Sequence, residues 1–261
     1  MAAHKKSRVI AICGKGGVGK TAFTTMVTRV LLESNQAGKL LVIDADPALG
    51  LPTPLGLTVK RTIGQVRESI IDAARNEGNL AKSELTNKID YMVFEALVET
   101  DQLAYLAMGR TETKGCFCPV NNILRESITL LSQKFDTIVI DGEAGLEQIN
   151  RQVMSKLDML IVVSDTSSRG VQTVEHIKKL IVDEHTIETK KVGVVFNRVQ
   201  HNEDILFQAA KNIGIDVFGV IPEDENITNC DFVGQPFTGL PSDSAALVAV
   251  RNILDKCILT E

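Results

Sequence analysis

The chain has 261 residues, 44% of them hydrophobic and 23% charged, an ordinary soluble globular composition with room for one large α/β domain or two small ones. A net charge of −5, with "HKKSR" as its only basic cluster, argues against nonspecific nucleic-acid binding. No apolar stretch approaches a membrane span, the N-terminus lacks a signal-peptide core, and five cysteines in an odd count argue against a disulfide framework, so a cytoplasmic protein with no membrane partner is expected.

In chain order, the apolar run "RVIAIC" (8–13) predicts a strand and "KTAFTTMVTRVLLES" (20–34) the helix that follows it. Strands are then predicted over 39–46 ("KLLVIDAD"), 91–97 ("YMVFEAL") and 135–141 ("FDTIVID"). The least regular region, 98–120, is read as an insertion on the ligand-facing edge of the sheet. A strand at 158–165, a helix at 171–185, a strand at 191–199, a helix at 203–214 and a strand at 216–222 complete the alternation. The last helix, within 242–258, has Ser242 or Ser244 as its cap. Strand–helix alternation with continuous apolar strands predicts a doubly wound, mostly parallel α/β sheet. No composition shift marks a linker, so a single domain over 1–261 is expected, with 1–7 as a flexible tail.

Gly14 to Thr21 spells "GKGGVGKT", which fits G-x-x-x-x-G-K-[ST] between a strand and a helix. Such a loop lets the backbone N–H groups of Gly14, Lys15, Gly16, Gly17, Val18 and Gly19 converge on the phosphates of ATP or ADP. Lys20 is expected at the β- and γ-phosphates and Thr21 on Mg²⁺. Asp141, ending a β-branched strand, is the candidate that holds Mg²⁺ through water. In "DADPALG", Asp46 is the candidate that orients the attacking water beside the metal, stiffened by Pro47, while Asp44 is either a site residue or a solvated turn former.

A second lysine, Lys15, makes "GKGGVGKT" resemble the deviant Walker A motif of the SIMIBI-class ATPases, the group that holds ParA and MinD. The resemblance implies a homodimer in which Lys15 crosses to the phosphates bound by the other subunit and acts with Lys20 and Asp46 in catalysis. It also implies base contacts from Asn197 and Arg198 in "VVFNRV" and from Pro222, Glu223 and Asp224 in "GVIPEDENI".

The segment "KGCFCPVNNILRE" (114–126) carries Cys116 and Cys118 one residue apart. One C-x-C supplies two thiolates, and a twofold dimer would supply the four that a closed site needs, with Zn²⁺ or Ni²⁺ as the suited metals. On spacing alone, two small buried hydrophobes explain the pair equally well. Cys13, Cys230 and Cys257 show no metal-like spacing and are read as structural. "GCFCP" and "DGEAGLEQI", with "DADP", "FNR" and "VIPED" in order, resemble the carbon monoxide dehydrogenase maturation ATPases of the CooC group. That resemblance implies a nickel-binding ATPase that inserts nickel into carbon monoxide dehydrogenase or the related acetyl-CoA synthase, its client partner. The chain departs from the group in its opening "MAAHKKS" and in "EQI", where a histidine often follows the glutamate. The rival readings are a MinD- or ParA-type positioning ATPase, an iron–sulfur carrier ATPase and, last, a small-molecule kinase.

Overall fold

Successive side chains of a strand point to opposite faces, and β1 (Arg8–Cys13) buries both sets. Val9, Ala11 and Cys13 join one apolar layer, and Ile10 and Ile12 the other. A strand buried on both faces sits in the middle of a sheet, where helices cover each side. The protein, seen in a computed structural model, is described over residues 7–76, 82–110, 118–142, 156–183, 187–201 and 203–257.

The sheet has eight strands in the order β3-β4-β2-β5-β1-β6-β7-β8. Its remaining members are β2 (Leu40–Asp44), β3 (Val98–Glu99), β4 (Leu103–Ala107), β5 (Thr137–Asp141), β6 (Lys156–Ser164), β7 (Glu188–Val199) and β8 (Asp216–Pro222). Among these strands only the β3–β4 pair is antiparallel. One face is covered by α1 (Lys20–Glu33) and α9 (Ala245–Cys257), which bury Phe23, Met26, Val27, Leu247 and Val250 against Ile10 and Ile12. After α2 (Pro52–Leu55) come α3 (Ile63–Asn76), α4 (Lys82–Ala96), α5 (Cys118–Ser132), α6 (Ser168–Lys178) and α7 (Glu203–Ile213), which cover the other face. The fold is therefore the doubly wound parallel sheet that the alternation predicts. α8 (Glu225–Val233) buries no residue, and α6 runs on into a π-helical turn over Lys179–Asp183. The last helix is capped by Ser244, whose Oγ accepts the Leu247 N–H at 3.4 Å. Among the described residues no helix is long and apolar enough to cross a membrane.

Two expectations are corrected. Residues 91–97 are not a strand, because 91–96 form the end of α4. Ile89, Met92, Val93 and Ala96 repeat at i, i+3, i+4 and i+7 and are buried, whereas Tyr91 is 64% and Phe94 57% exposed. The aromatic content suggests a strand, but the apolar period is that of a helix. Nor is 98–120 merely an irregular insertion. Leu103–Ala107 pairs with β2 along its whole length, putting β4 inside the sheet.

The parallel ladder places the carboxyl ends of β1, β2, β5, β6, β7 and β8 along one edge. The chain leaves β1 for β2 on one side and later builds β6 to β8 on the other, so the strand order reverses at β1. In open α/β sheets ligands settle at that point.

Candidate nucleotide site

Six residues, Gly14 to Gly19, link β1 to α1. Gly14 takes φ +148°, and a Cβ there would lie 2.1 Å from the Val163 carbonyl oxygen of β6. Gly19 takes φ +90°, and a Cβ there would lie 2.4 Å from Asn197 Nδ2 of β7. These two glycines answer to neighbouring strands. Gly16 and Gly17 instead face open space, with nothing within 4 Å of an added Cβ. None of the N–H groups from Gly14 to Gly19 has an acceptor among the described residues. The α1 N-terminus beyond them has no side-chain cap and no acidic residue in its first turn. A row of unpartnered N–H groups at the positive end of a helix is an anion site. Lys20 is buried there, with Nζ donating to the Lys15 carbonyl at 3.2 Å.

Alternation along β2 and β5 decides which way the acidic residues face. Leu40 and Val42 of β2 and Val139 of β5 belong to the α1 side, so Asp44 and Asp141, two residues further on, point there too. The two aspartates are register partners across the β2–β5 ladder, and both are buried. Asp141 accepts the Thr21 hydroxyl at 3.1 Å and the Thr24 hydroxyl at 3.0 Å, one on each carboxylate oxygen. Asp44 accepts the Asp46 N–H at 3.1 Å on Oδ1, and the Leu51 N–H at 3.2 Å and the Tyr105 hydroxyl at 3.0 Å on Oδ2. Burial pushes Asp44 up to about 6, against the pull of these donors. Burial, with the Asp44 charge second, pushes Asp141 up to about 7, despite both threonines and nearby Lys20. Two buried carboxylates side by side beside a threonine hydroxyl are a donor set that suits a hard divalent cation such as Mg²⁺. Thr21 and Asp141 are the residues that would hold it.

Asp44 is thus fully buried beside Asp141 and is not a solvated turn former. Asp46 is half-buried and makes the local turn, its Oδ1 accepting the Ala48 N–H at 2.8 Å. Thr24 and Tyr105 were not singled out from the sequence. Thr24 lies one helical turn from Thr21, a spacing legible in the sequence. Tyr105 lies on the strand that the sequence reading missed.

The other expected contacts gather at the ends of β7 and β8. Asn197 is buried, and its Nδ2 donates to the Val18 carbonyl at 2.8 Å. Arg198 Nη1 donates to the Gly17 carbonyl at 3.3 Å. Glu223 accepts a hydrogen bond from Gln200 Nε2. The Asp224 carboxylate is committed to two helix N-termini. Its Oδ1 accepts the Asn226 N–H of α8 at 2.9 Å, and its Oδ2 accepts the Ser244 hydroxyl at 2.6 Å and the Ala246 N–H of α9 at 3.1 Å. These donors hold its carboxyl below the ordinary aspartate value although partial burial opposes them.

A family model described as an AAA domain (AAA_31) matches residues 7–194. The chain belongs to that family. It is similar, at 39% identity over 96% of this chain and 98% of the relative, to an uncharacterized ATP-binding protein of Methanocaldococcus jannaschii. It is 28% identical to the carbon monoxide dehydrogenase accessory protein CooC of Rhodospirillum rubrum, over 86% of this chain and 87% of that protein. Among solved structures, the cell division ATPase MinD of Pyrococcus furiosus superposes with a TM-score of 0.71 at 20% identity, covering 98% of this chain and all of that one. The AAA-domain chain is a P-loop ATPase of the MinD/ParA class.

In this AAA-domain protein Lys15 is half-buried. Cys118 opens α5, whereas Cys116 and residues 143–147 of "DGEAGLE" lie outside the described residues. Among the described residues no group of three or more His, Cys, Asp or Glu side chains is placed to hold a metal ion. Cys13 is buried, and burial pushes its thiol up to about 12, which suits a structural cysteine.

Proposed function

We propose that this ATPase works as a homodimer that handles nickel for a carbon monoxide dehydrogenase or the related acetyl-CoA synthase. One ATPase domain spans the chain. Mg²⁺ is held by Thr21 and, through water, by Asp141. Asp46 orients the attacking water beside it. Lys15 reaches the phosphates of the opposite subunit, so that hydrolysis reports dimer closure. The base of the nucleotide rests at the ends of β7 and β8, against Asn197, Arg198, Pro222 and Glu223, with Asp224 bracing that segment through its two helix caps. Cys116 and Cys118 of both subunits form one four-thiolate site for Ni²⁺, with Zn²⁺ as the competing occupant.

The observation that supports the nickel half is the C-x-C-P motif of the sequence, whose Cys118 and Pro119 open α5, in a chain similar to CooC over 86% of its length. The test is metal analysis with size determination, varying ADP, ATP and nickel, on wild type and Cys116→Ser. Metal-dependent dimerisation of wild type alone is expected. Equal nickel and zinc binding by the two proteins refutes the assignment. A brown preparation with broad visible absorption would favour the iron–sulfur reading instead, and ATP-dependent pelleting with liposomes or DNA the positioning reading.

A further inference from the structure

We propose that Asn197 and Arg198 are positioning residues that hold the phosphate cradle in its binding shape. The inference rests on the nucleotide-site reading and adds a mechanical role at the end of β7, distinct from contact with the base.

The argument begins with the peptide plane. In a trans peptide the C=O and the following N–H point in opposite directions. The Gly17 carbonyl shares a plane with the Val18 N–H, and the Val18 carbonyl with the Gly19 N–H. Arg198 Nη1 holds the first carbonyl at 3.3 Å and Asn197 Nδ2 the second at 2.8 Å. Both carbonyls are thereby turned toward β7, and the Val18 and Gly19 N–H groups face the opposite way. Those are two of the N–H groups that have no acceptor among the described residues. Asn197 and Arg198 are the donors recorded on these two carbonyls among the described residues, and a peptide that flipped without them would present a carbonyl to an incoming anion.

Three further features fit a built tether. Asn197 Oδ1 accepts the Arg198 N–H at 3.0 Å, which orients the amide so that Nδ2 is the end facing the loop. Consecutive strand residues ordinarily point to opposite faces, yet Asn197 and Arg198 both reach the cradle. Arg198 takes φ +58°, rare for a non-glycine residue, where the β7–β8 register slips between Phe196 and Val199. Finally, the last glycine of the motif makes room for the tether, since any side chain at 19 would collide with Asn197 Nδ2.

A probe without a base separates this role from base reading. Binding of Mg-tripolyphosphate and Mg-ATP is measured by calorimetry on wild type, Asn197→Ala and Arg198→Gly. Glycine keeps the positive φ without strain while removing the guanidinium. Loss of a buried donor should weaken tripolyphosphate about tenfold or more in Asn197→Ala. Arg198→Gly should weaken it severalfold, and each variant should lose ATP affinity in step. Tripolyphosphate affinity unchanged in the variants, with ATP alone weakened, overturns the inference and leaves Asn197 as a base reader. Should Asn197→Ala fail to fold, unchanged tripolyphosphate binding by Arg198→Gly overturns it equally. A wild type that binds neither ligand overturns the nucleotide-site reading along with it.

Discussion

Replacing Tyr105 by Phe removes one hydroxyl and leaves the ring where it packs, which isolates the hydrogen bond to Asp44 Oδ2 at 3.0 Å. Asp44 is raised from 3.8 to about 6, chiefly by burial, which corresponds to about 3 kcal/mol of stability lost on ionising it. Between those two values the folded protein keeps a proton that the unfolded chain has released. The contribution of this carboxyl is therefore greatest in acid and is lost as pH rises through about 6. The tyrosine hydroxyl opposes that loss, because a donor contributes about 1.5–3 kcal/mol to a charged acceptor and about 1 kcal/mol to a neutral one. Tyr105→Phe should cost about 1 kcal/mol at pH 5 and about 2–3 kcal/mol at pH 8. The Asp44 titration should move up by about one pH unit. The chain has no tryptophan, so urea unfolding followed by far-ultraviolet circular dichroism at the two pH values is the suitable assay. A cost equal at pH 5 and pH 8 would refute the claim that this hydroxyl serves the ionised carboxylate.

Thr24→Val removes the donor on Asp141 Oδ1 but keeps the side-chain shape, so the carboxylate should lose orientation and the Mg²⁺ needed for half-maximal ATPase activity should rise about five- to tenfold. Thr24→Ser should restore the wild-type requirement, and a Val variant with unchanged Mg²⁺ dependence would show Thr24 to be packing alone. The cradle glycines should divide by neighbour. Gly14→Ala would place a Cβ 2.1 Å from the Val163 carbonyl and should destabilise by roughly 3 kcal/mol or more, whereas Gly16→Ala has open space and should melt within a few degrees of wild type. Equal melting temperatures for the two variants would contradict the assigned neighbours.

The sequence by itself was enough for the Gly-rich loop, for Asp141 at a strand end and for the parallel α/β class, because each is written in local spacing, whereas it left Asp44 open until burial placed it. The G-x-x-x-x-G-K spacing between an apolar strand and a helix distinguishes this loop from other Gly-rich turns, and the seven residues from Gly14 to Lys20 contain it. The aromatic run at 91–97 was misread because composition and periodicity disagreed there, and burial of Ile89, Met92, Val93 and Ala96 follows periodicity. What surrounds Asp44 was decided only by the tertiary structure. Tyr105 reaches it because β4 pairs with β2 in a register that sets Val42 opposite Tyr105, a contact across 61 positions of chain that no local pattern encodes. The same holds for Asn197 on Val18, 179 positions away, and for Gly19, whose lack of a side chain answers to Asn197. Local spacing states which groups are present. Strand order and register state which of them meet, because a shift of one residue turns every side chain of a strand to the opposite face.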